Sequence, residues 1–479
     1  MSWHPAYREW VLAPDYAFAE RHLKDLFLDA LVAHARGVAA LPIASAHGAE
    51  LDALEAGLQR LRTTALPERP ESCPDLYFAL QRALEADVGP APLGWLRLGL
   101  SRNDLDMTVY VLRARDTALL RVRALLALQA ALLDLAEVHC GTVMIAATHH
   151  QPGQPTTVGH YLAAQAAAVE RDVQRSLQAL ERLDRCPLGA AALAGTSHPL
   201  DREASARRLG FAAPVASTYD AVASADWQAD VAHVSQSVAL TLSRLLTDLL
   251  AWAAAGVLHL EDGLVQGSSI MPQKRNPVAL EHARTRCSRV LGVAQAVALS
   301  SHNIPFGDLN DFGPDAQGAL QSLHQLLLGA LTLTSTCLRG CSVDTAALAR
   351  AVAATDTTAT ELADELVRTA GRSFPEAHRD VAALLAHMTR AGRPFTAAEP
   401  ADLLAVGGPS LEPSALRDAL SAEAFVARRD GLGGPAAGAV RHHLHVLRQG
   451  AERYHGAVDG MTARIDTARQ QLRGSGKDA

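Results

Sequence analysis

Lysine is nearly missing from this chain: of its 44 basic residues only Lys24, Lys274 and Lys477 are lysine. Asparagine is almost as scarce, occurring at Asn103, Asn276, Asn303 and Asn310. Aromatic residues make up 4% of the whole, which argues against a strand-rich fold and, with Ala, Leu and Arg abundant, favours helix. No run approaches the roughly 18 apolar residues of a membrane span, and the opening MSWHPAYREW has no apolar core behind a basic start, so a cytoplasmic protein is expected, without membrane contact. There is no basic patch and the net charge is −7, which speaks against nucleic acid as a partner. The six cysteines are scattered, and only Cys337 and Cys341 are close, as C-x3-C without a second pair. They read as reduced core thiols rather than zinc ligands.

What is present is ample apolar material, 49% of 479 residues. That is more than one ordinary core needs, so two or three subdomains are expected. From Val231 the apolar positions continue through Val234, Val238, Leu242, Leu245, Leu249 and Trp252, steps of three and four that describe a long helix with a bundle-like seam. Similar periodicity runs through 119–139 and 290–300. These segments predict an all-α chain built on a central bundle of long helices. Proline and glycine gather at 88–95, 151–155, 303–314 and 392–400, where loops or breaks are expected. Boundaries near 88–100 and 340–350 divide the chain into an N-terminal helical domain (1–99), a central bundle (100–345) and a C-terminal helical domain (346–479). No repeat of fixed period occurs, and the final GSGKDA is expected to fray.

The scarce residues mark the chemistry. Lys274 stands in GSSIMPQKRNP (267–277), in a chain that otherwise uses arginine. An ammonium is a compact charge where a guanidinium is a broad fork, so this position suits a point charge against one oxyanion. Gly267, Ser268 and Ser269 form a hydroxyl-rich turn, Asn276 adds a neutral donor, and Pro277 suits the first residue of a following helix. Backbone N–H groups, ammonium and amide together can hold an oxyanion. A phosphate would also fit, but the spacing is not that of a P-loop and no strand is read before it. LSRNDLDMT (100–108) opens a long helix with Ser101, Arg102, Asn103 and Asp104, donors that suit a carboxylate. ATHHQPGQPTTVGH (147–160) places Thr148, His149, Gln151, Thr156 and His160 around a proline-broken turn. No carboxylate or cysteine at ligand spacing accompanies the two adjacent histidines, so no metal site is expected.

These motifs resemble the fumarase/aspartase superfamily, whose signature the 267–277 loop matches. SRND, TH-x-Q-x-x-QP, CPLGAAALAGTSHPLDR (186–202), STYDAVASADW (217–227), GRSFPEAH (371–378) and VARRDGLGG (426–434) are similar to its argininosuccinate lyase branch. The resemblance covers nearly the whole chain. It implies an all-helical three-domain subunit, a homotetramer whose active sites are shared between subunits, and a cofactor-free elimination acting on a small dicarboxylate substrate. By the same resemblance Ser268 is the base that takes a proton beside a carboxylate. Lys274 and Asn276 stabilise the aci-carboxylate that forms, His149 helps protonate the leaving group, and Glu281 orients that histidine. Ser101, Arg102, Asn103, Thr148, Gln151, Thr156, Ser269 and Asn276 then bind substrate.

Two departures concern the substrate. The start lacks the W-G-G-R-F segment of true argininosuccinate lyases. Their Y-N-x-D-x-Q-E-D-K stretch, which grips the arginine end, corresponds here to NIPFGDLNDFGPDA (303–316), with Phe306 and Gly307 at the tyrosine's place and no lysine. A site built for polar groups rejects a molecule that leaves them unmatched, so a changed leaving group is expected, with the fumarate-forming half retained. True argininosuccinate cleavage and a non-catalytic, crystallin-like role are the alternatives. The full set of Ser268, Lys274, Asn276, His149 and Glu281 speaks against the latter.

Overall fold

The structure, a computed structural model, describes residues 3–67, 69 and 72–474. The frayed tail expected at the C-terminus lies, from residue 475 on, outside the described residues. The fold is all-α, as the composition and periodicity predict. Helix α1 (Lys24–Ala39) belongs to the N-terminal region. The central bundle consists of α2 (Arg102–Val138), α3 (Val158–Leu183), α4 (Asp226–Ala254), α5 (Val278–Ser300) and α6 (Pro314–Arg339). Helix α2 packs along α3 and α6, α4 along α5, and α5 along α6. A last long helix, α7 (Ala437–Arg473), lies across α2 and α3.

The three-and-four spacing explains this packing. In α4 the residues Val231, Val238, Leu242, Leu245 and Leu249 are all buried, forming one stripe turned into the bundle. By length and composition α4 is apolar enough to cross a membrane, which corrects the expectation that no segment is. Its apolar stripe is instead buried against neighbouring helices. One hydrophobic core collects residues from Tyr16 to Leu348 and takes in Val440, Leu447, Ile465 and Leu472 of α7. A second core, from Leu362 to Leu420, stands apart. The C-terminal helix therefore returns to the main body. All six cysteines are free, and five are buried.

Two segments read as breaks form regular structure. Within 88–95, Gly89 turns the chain at φ +84° and a short helix follows at Pro90–Leu96. Proline is tolerated at the first helical position because its missing N–H would be unpaired there anyway. The segment 151–155 belongs to a strand, because Val143–Thr148 (β1) and Gln151–Thr157 (β2) form an antiparallel hairpin. Pro152 and Pro155 fit because a two-stranded sheet leaves each strand a free edge that needs no donor.

The ends of the bundle are fixed by cross-links. Tyr161 near the start of α3 donates to Asp248 near the end of α4 (2.6 Å) and packs on Trp252. Arg182 at the end of α3 pairs with Asp230 near the start of α4. The two helices are therefore antiparallel. The β-hairpin and the segment after α4 lie at one end, and the starts of α2 and α4 lie at the other.

Candidate active site

Ser101 caps α2 in extended conformation. Its Oγ accepts from the Asn103 amide (3.2 Å), and Asp104 reaches back to accept from the Ser101 amide (3.0 Å). Such a capping box stabilises a helix start by about 1 kcal/mol. Asp104 also accepts from the Gly189 amide (2.8 Å), fastening the CPLG segment beneath the helix end. Burial pushes the Asp104 carboxyl up to about 6, against backbone donors that favour its charge. The guanidinium of Arg102 is held within the chain, paired with Asp75 and with Asp106 (2.6 Å) and lying over the rings of Tyr77 and Phe78. Burial disfavours its charge, but the two carboxylates outweigh this and raise its pKa. Asn103 is half-buried beside it. The aspartate partners carry a signal missed in the sequence: Asp106 follows Arg102 by four residues, one helical turn on the same face.

The hairpin presents the second group. Thr148 and Gln151 are paired, and between them His149 (φ 52°) and His150 (φ 62°) both adopt the left-handed conformation. That is the two-residue loop a right-twisted hairpin favours, normally built from Asn and Gly. Histidine in that region costs about 1 kcal/mol or more per residue. The result is an exposed imidazole at the hairpin tip, with Thr148 and Gln151 exposed beside it. Thr156 is buried, and its hydroxyl meets His160 Nδ1 at 2.8 Å while His160 Nε2 meets the Gly433 carbonyl at 3.0 Å. A carbonyl only accepts, so Nε2 carries the proton and Nδ1 accepts from Thr156. His160, to which the sequence reading gave no role, thus fastens the 426–434 segment to the foot of the hairpin. Among the described residues, no three His, Cys, Asp or Glu side chains are grouped to hold a metal ion.

The third group is the signature loop. A two-residue ladder, Gln266–Gly267 (β3) against Arg275–Asn276 (β4), pinches its base, where no strand is expected from the sequence. Arg275 secures that base through Asp262 and the Leu260 carbonyl (2.9 Å). Inside the loop, Ser268 Oγ accepts the amides of Ile270 (3.3 Å) and Met271 (3.1 Å). Two donors aimed at one hydroxyl oxygen favour the charge it would carry as an alkoxide. Lys274 is exposed, and its ammonium has no hydrogen bond or ion pair to a described residue. Ser269 is exposed and Asn276 half-buried. Pro277 caps α5 rather than beginning it, and Glu281 lies exposed in the first turn.

The chain alone does not bring these groups together. The 37 residues of α2 separate the Ser101–Asn103 end from the hairpin end by about 55 Å. The 303–316 segment lies at the Ser101 end, where Tyr219 stacks on Phe306 and bonds its carbonyl, and Gln228 of α4 bonds the Phe312 carbonyl. Among the described residues, no hydrogen bond or ion pair joins the Ser101–Asn103 group, the hairpin tip and the signature loop to one another, and none joins Glu281 to His149.

Comparison with known proteins is consistent along the chain. A family model described as lyase matches residues 77–292, and one described as argininosuccinate lyase C-terminal matches residues 356–427. Argininosuccinate lyase 2 of Agrobacterium fabrum (strain C58 / ATCC 33970) is 34% identical over 465 residues, spanning 93% of this chain and 90% of that protein. Among solved structures, EDDS lyase in complex with formate matches with a TM-score of 0.84 at 26% identity, over 99% of this chain and 95% of that one. An EDDS lyase variant with bound fumarate matches with the same TM-score, identity and coverage.

Proposed function

Because the chain belongs to the argininosuccinate lyase branch of the fumarase/aspartase superfamily, we propose that it is a carbon–nitrogen lyase that eliminates an amine from an N-substituted aspartate or succinate and releases fumarate. The observation that carries this reading is Ser268 Oγ between two backbone amides, in a loop whose Lys274 has no ion pair or hydrogen bond to a described residue through its ammonium. Ser268 as alkoxide takes the proton from the carbon beside a substrate carboxylate. The electron pair moves into that carboxylate, giving an aci-carboxylate dianion held by Lys274 and Asn276. Collapse of the dianion expels the nitrogen, which leaves as an amine after protonation assisted by His149, with Glu281 orienting the imidazole. Ser101, Arg102, Asn103, Thr148, Gln151, Thr156 and Ser269 bind the substrate.

The site is completed between copies, in a homotetramer. Support comes from the roughly 55 Å that part the Ser101 end from the hairpin end, a gap that a second, antiparallel subunit closes. The leaving group differs from arginine. Support for this is the 303–316 segment, which has no lysine and uses Phe306 to stack on Tyr219.

The test incubates purified protein with fumarate and a panel of amines and follows adducts by mass spectrometry. An adduct with an amine other than arginine is expected, whereas an arginine adduct alone would reverse the reading of residues 303–316. Ser268→Ala is expected to fold and to lose turnover by a factor of a hundred or more, as removal of a group acting in the transition state typically does. An undiminished rate would remove Ser268 as the base.

A further inference from the structure

Beneath the start of α2 lies a cavity of about 360 Å³ whose described lining includes four carboxylates, Asp15, Asp75, Asp106 and Asp315, against one cation, Arg102. Arg102 is already matched by Asp75 and Asp106. Asp15 and Asp315 are not matched: neither side chain has a hydrogen bond or ion pair to a described residue. Burial and then the charge of Asp315 raise the Asp15 carboxyl. A second, independent feature is Tyr110. It is 94% buried, with relative exposure of 6%, and its hydroxyl has no hydrogen-bond partner among the described residues. Tyr110 lines the cavity beside Asp15, Asp75, Arg102 and Asp106, and after burial itself the charges that act on its hydroxyl are those of the same four residues.

A phenol oxygen that opens to the cavity without a partner among the described residues, a half-buried carboxylate (Asp15), an exposed one (Asp315) and aromatic walls are complementary to an N–H-bearing organic cation. Arg102 connects the cavity directly to Ser101 and Asn103. The geometry points to this cavity as the subsite for a second positive charge on the leaving half of the substrate: an ammonium or guanidinium carried on the amine, held by Asp15, Asp315 and the Tyr110 hydroxyl. The assignment rests on the elimination proposed above for its meaning, but binding tests it without turnover. It also accounts for a 303–316 segment without lysine, because a lysine there would repel such a group.

The experiment is calorimetric titration of the full chain with a matched pair of probes, 1,4-diaminobutane and butylamine. The diamine is expected to bind about tenfold more tightly, the size of gain a partly desolvated cation makes with carboxylate and aromatic partners. In the double variant Asp15→Asn, Asp315→Asn the two affinities should converge. Tyr110→Phe should weaken the diamine about threefold and leave butylamine unchanged, reflecting one lost hydrogen bond. Equal affinities in the natural chain, or a preference that survives in the double variant, overturn the assignment, and so does the absence of binding by either probe. Addition to fumarate, followed separately, tells the two readings apart. A bound diamine that never forms an adduct counts against the elimination and leaves the subsite standing. Adducts formed as readily from butylamine as from the diamine count against the subsite and leave the elimination standing.

Discussion

A serine hydroxyl loses its proton only where the charge left behind is caught, and at Ser268 the amides of Ile270 and Met271 are already in place to catch it. Lys274 then offers a point charge rather than a fork. Lys274→Arg should therefore lower kcat about a hundredfold while the fold is retained, as steady-state kinetics beside a circular dichroism spectrum will show. Near-wild-type turnover would mean that any cation suffices. Other single residues govern stability instead. His34 is buried, and burial lowers its pKa to about 4. The folded chain thus resists protonating a group that the unfolded chain protonates below about 6.5. Its contribution is fully present above pH 6.5 and is lost as pH falls from there towards 4. Between those limits the natural chain should lose on the order of 3 kcal/mol more stability than His34→Leu, measured by urea unfolding at each pH. Parallel pH profiles would contradict this account.

At the scale of elements, the long helices were legible and the hairpin was not. Val231 to Leu249 repeats in threes and fours because one face must meet the bundle, and the Ser101/Asp104 pair marks where α2 begins. In β2, by contrast, Pro152 and Pro155 look like punctuation, and the free edge that accommodates them exists only once β1 pairs on the other side. The turn of that hairpin is strained where function would want an imidazole. His150→Gly should stabilise the hairpin by about 1 kcal/mol, since glycine adopts positive φ without penalty, and should leave turnover unchanged if His149 alone takes part in proton transfer. Hydrogen exchange of the hairpin amides reports the first and kinetics the second. Loss of turnover would bring His150 into the site.

For the whole molecule the decisive fact is distance. If one site draws Ser268 from one copy and Asn103 from another, then Ser268→Ala and Asn103→Ala subunits, each inactive alone, should regain activity when unfolded together and reassembled. Random mixing leaves about a quarter of such sites with both natural residues. Recovery near that level supports sharing, whereas a mixture as inactive as its components would require each site to lie within one chain. The same reasoning explains why the candidate site was legible as a set of residues but not as a place. Residue types announce their chemistry locally, in SRND or around Lys274, but nothing local records which end of a bundle a loop occupies.

By itself the sequence determined the helical class, the long central bundle and the scarce polar residues around which chemistry gathers. It could do so because apolar periodicity and side-chain chemistry are local properties. Only the tertiary structure decided that α7 rejoins the main core, that prolines sit in a strand, that Arg102 is matched by Asp75 and Asp106, and that Asp15, Tyr110 and Asp315 face one cavity. Those facts depend on which distant segments pack together, and that packing is what sets a phenol and two carboxylates around one cavity.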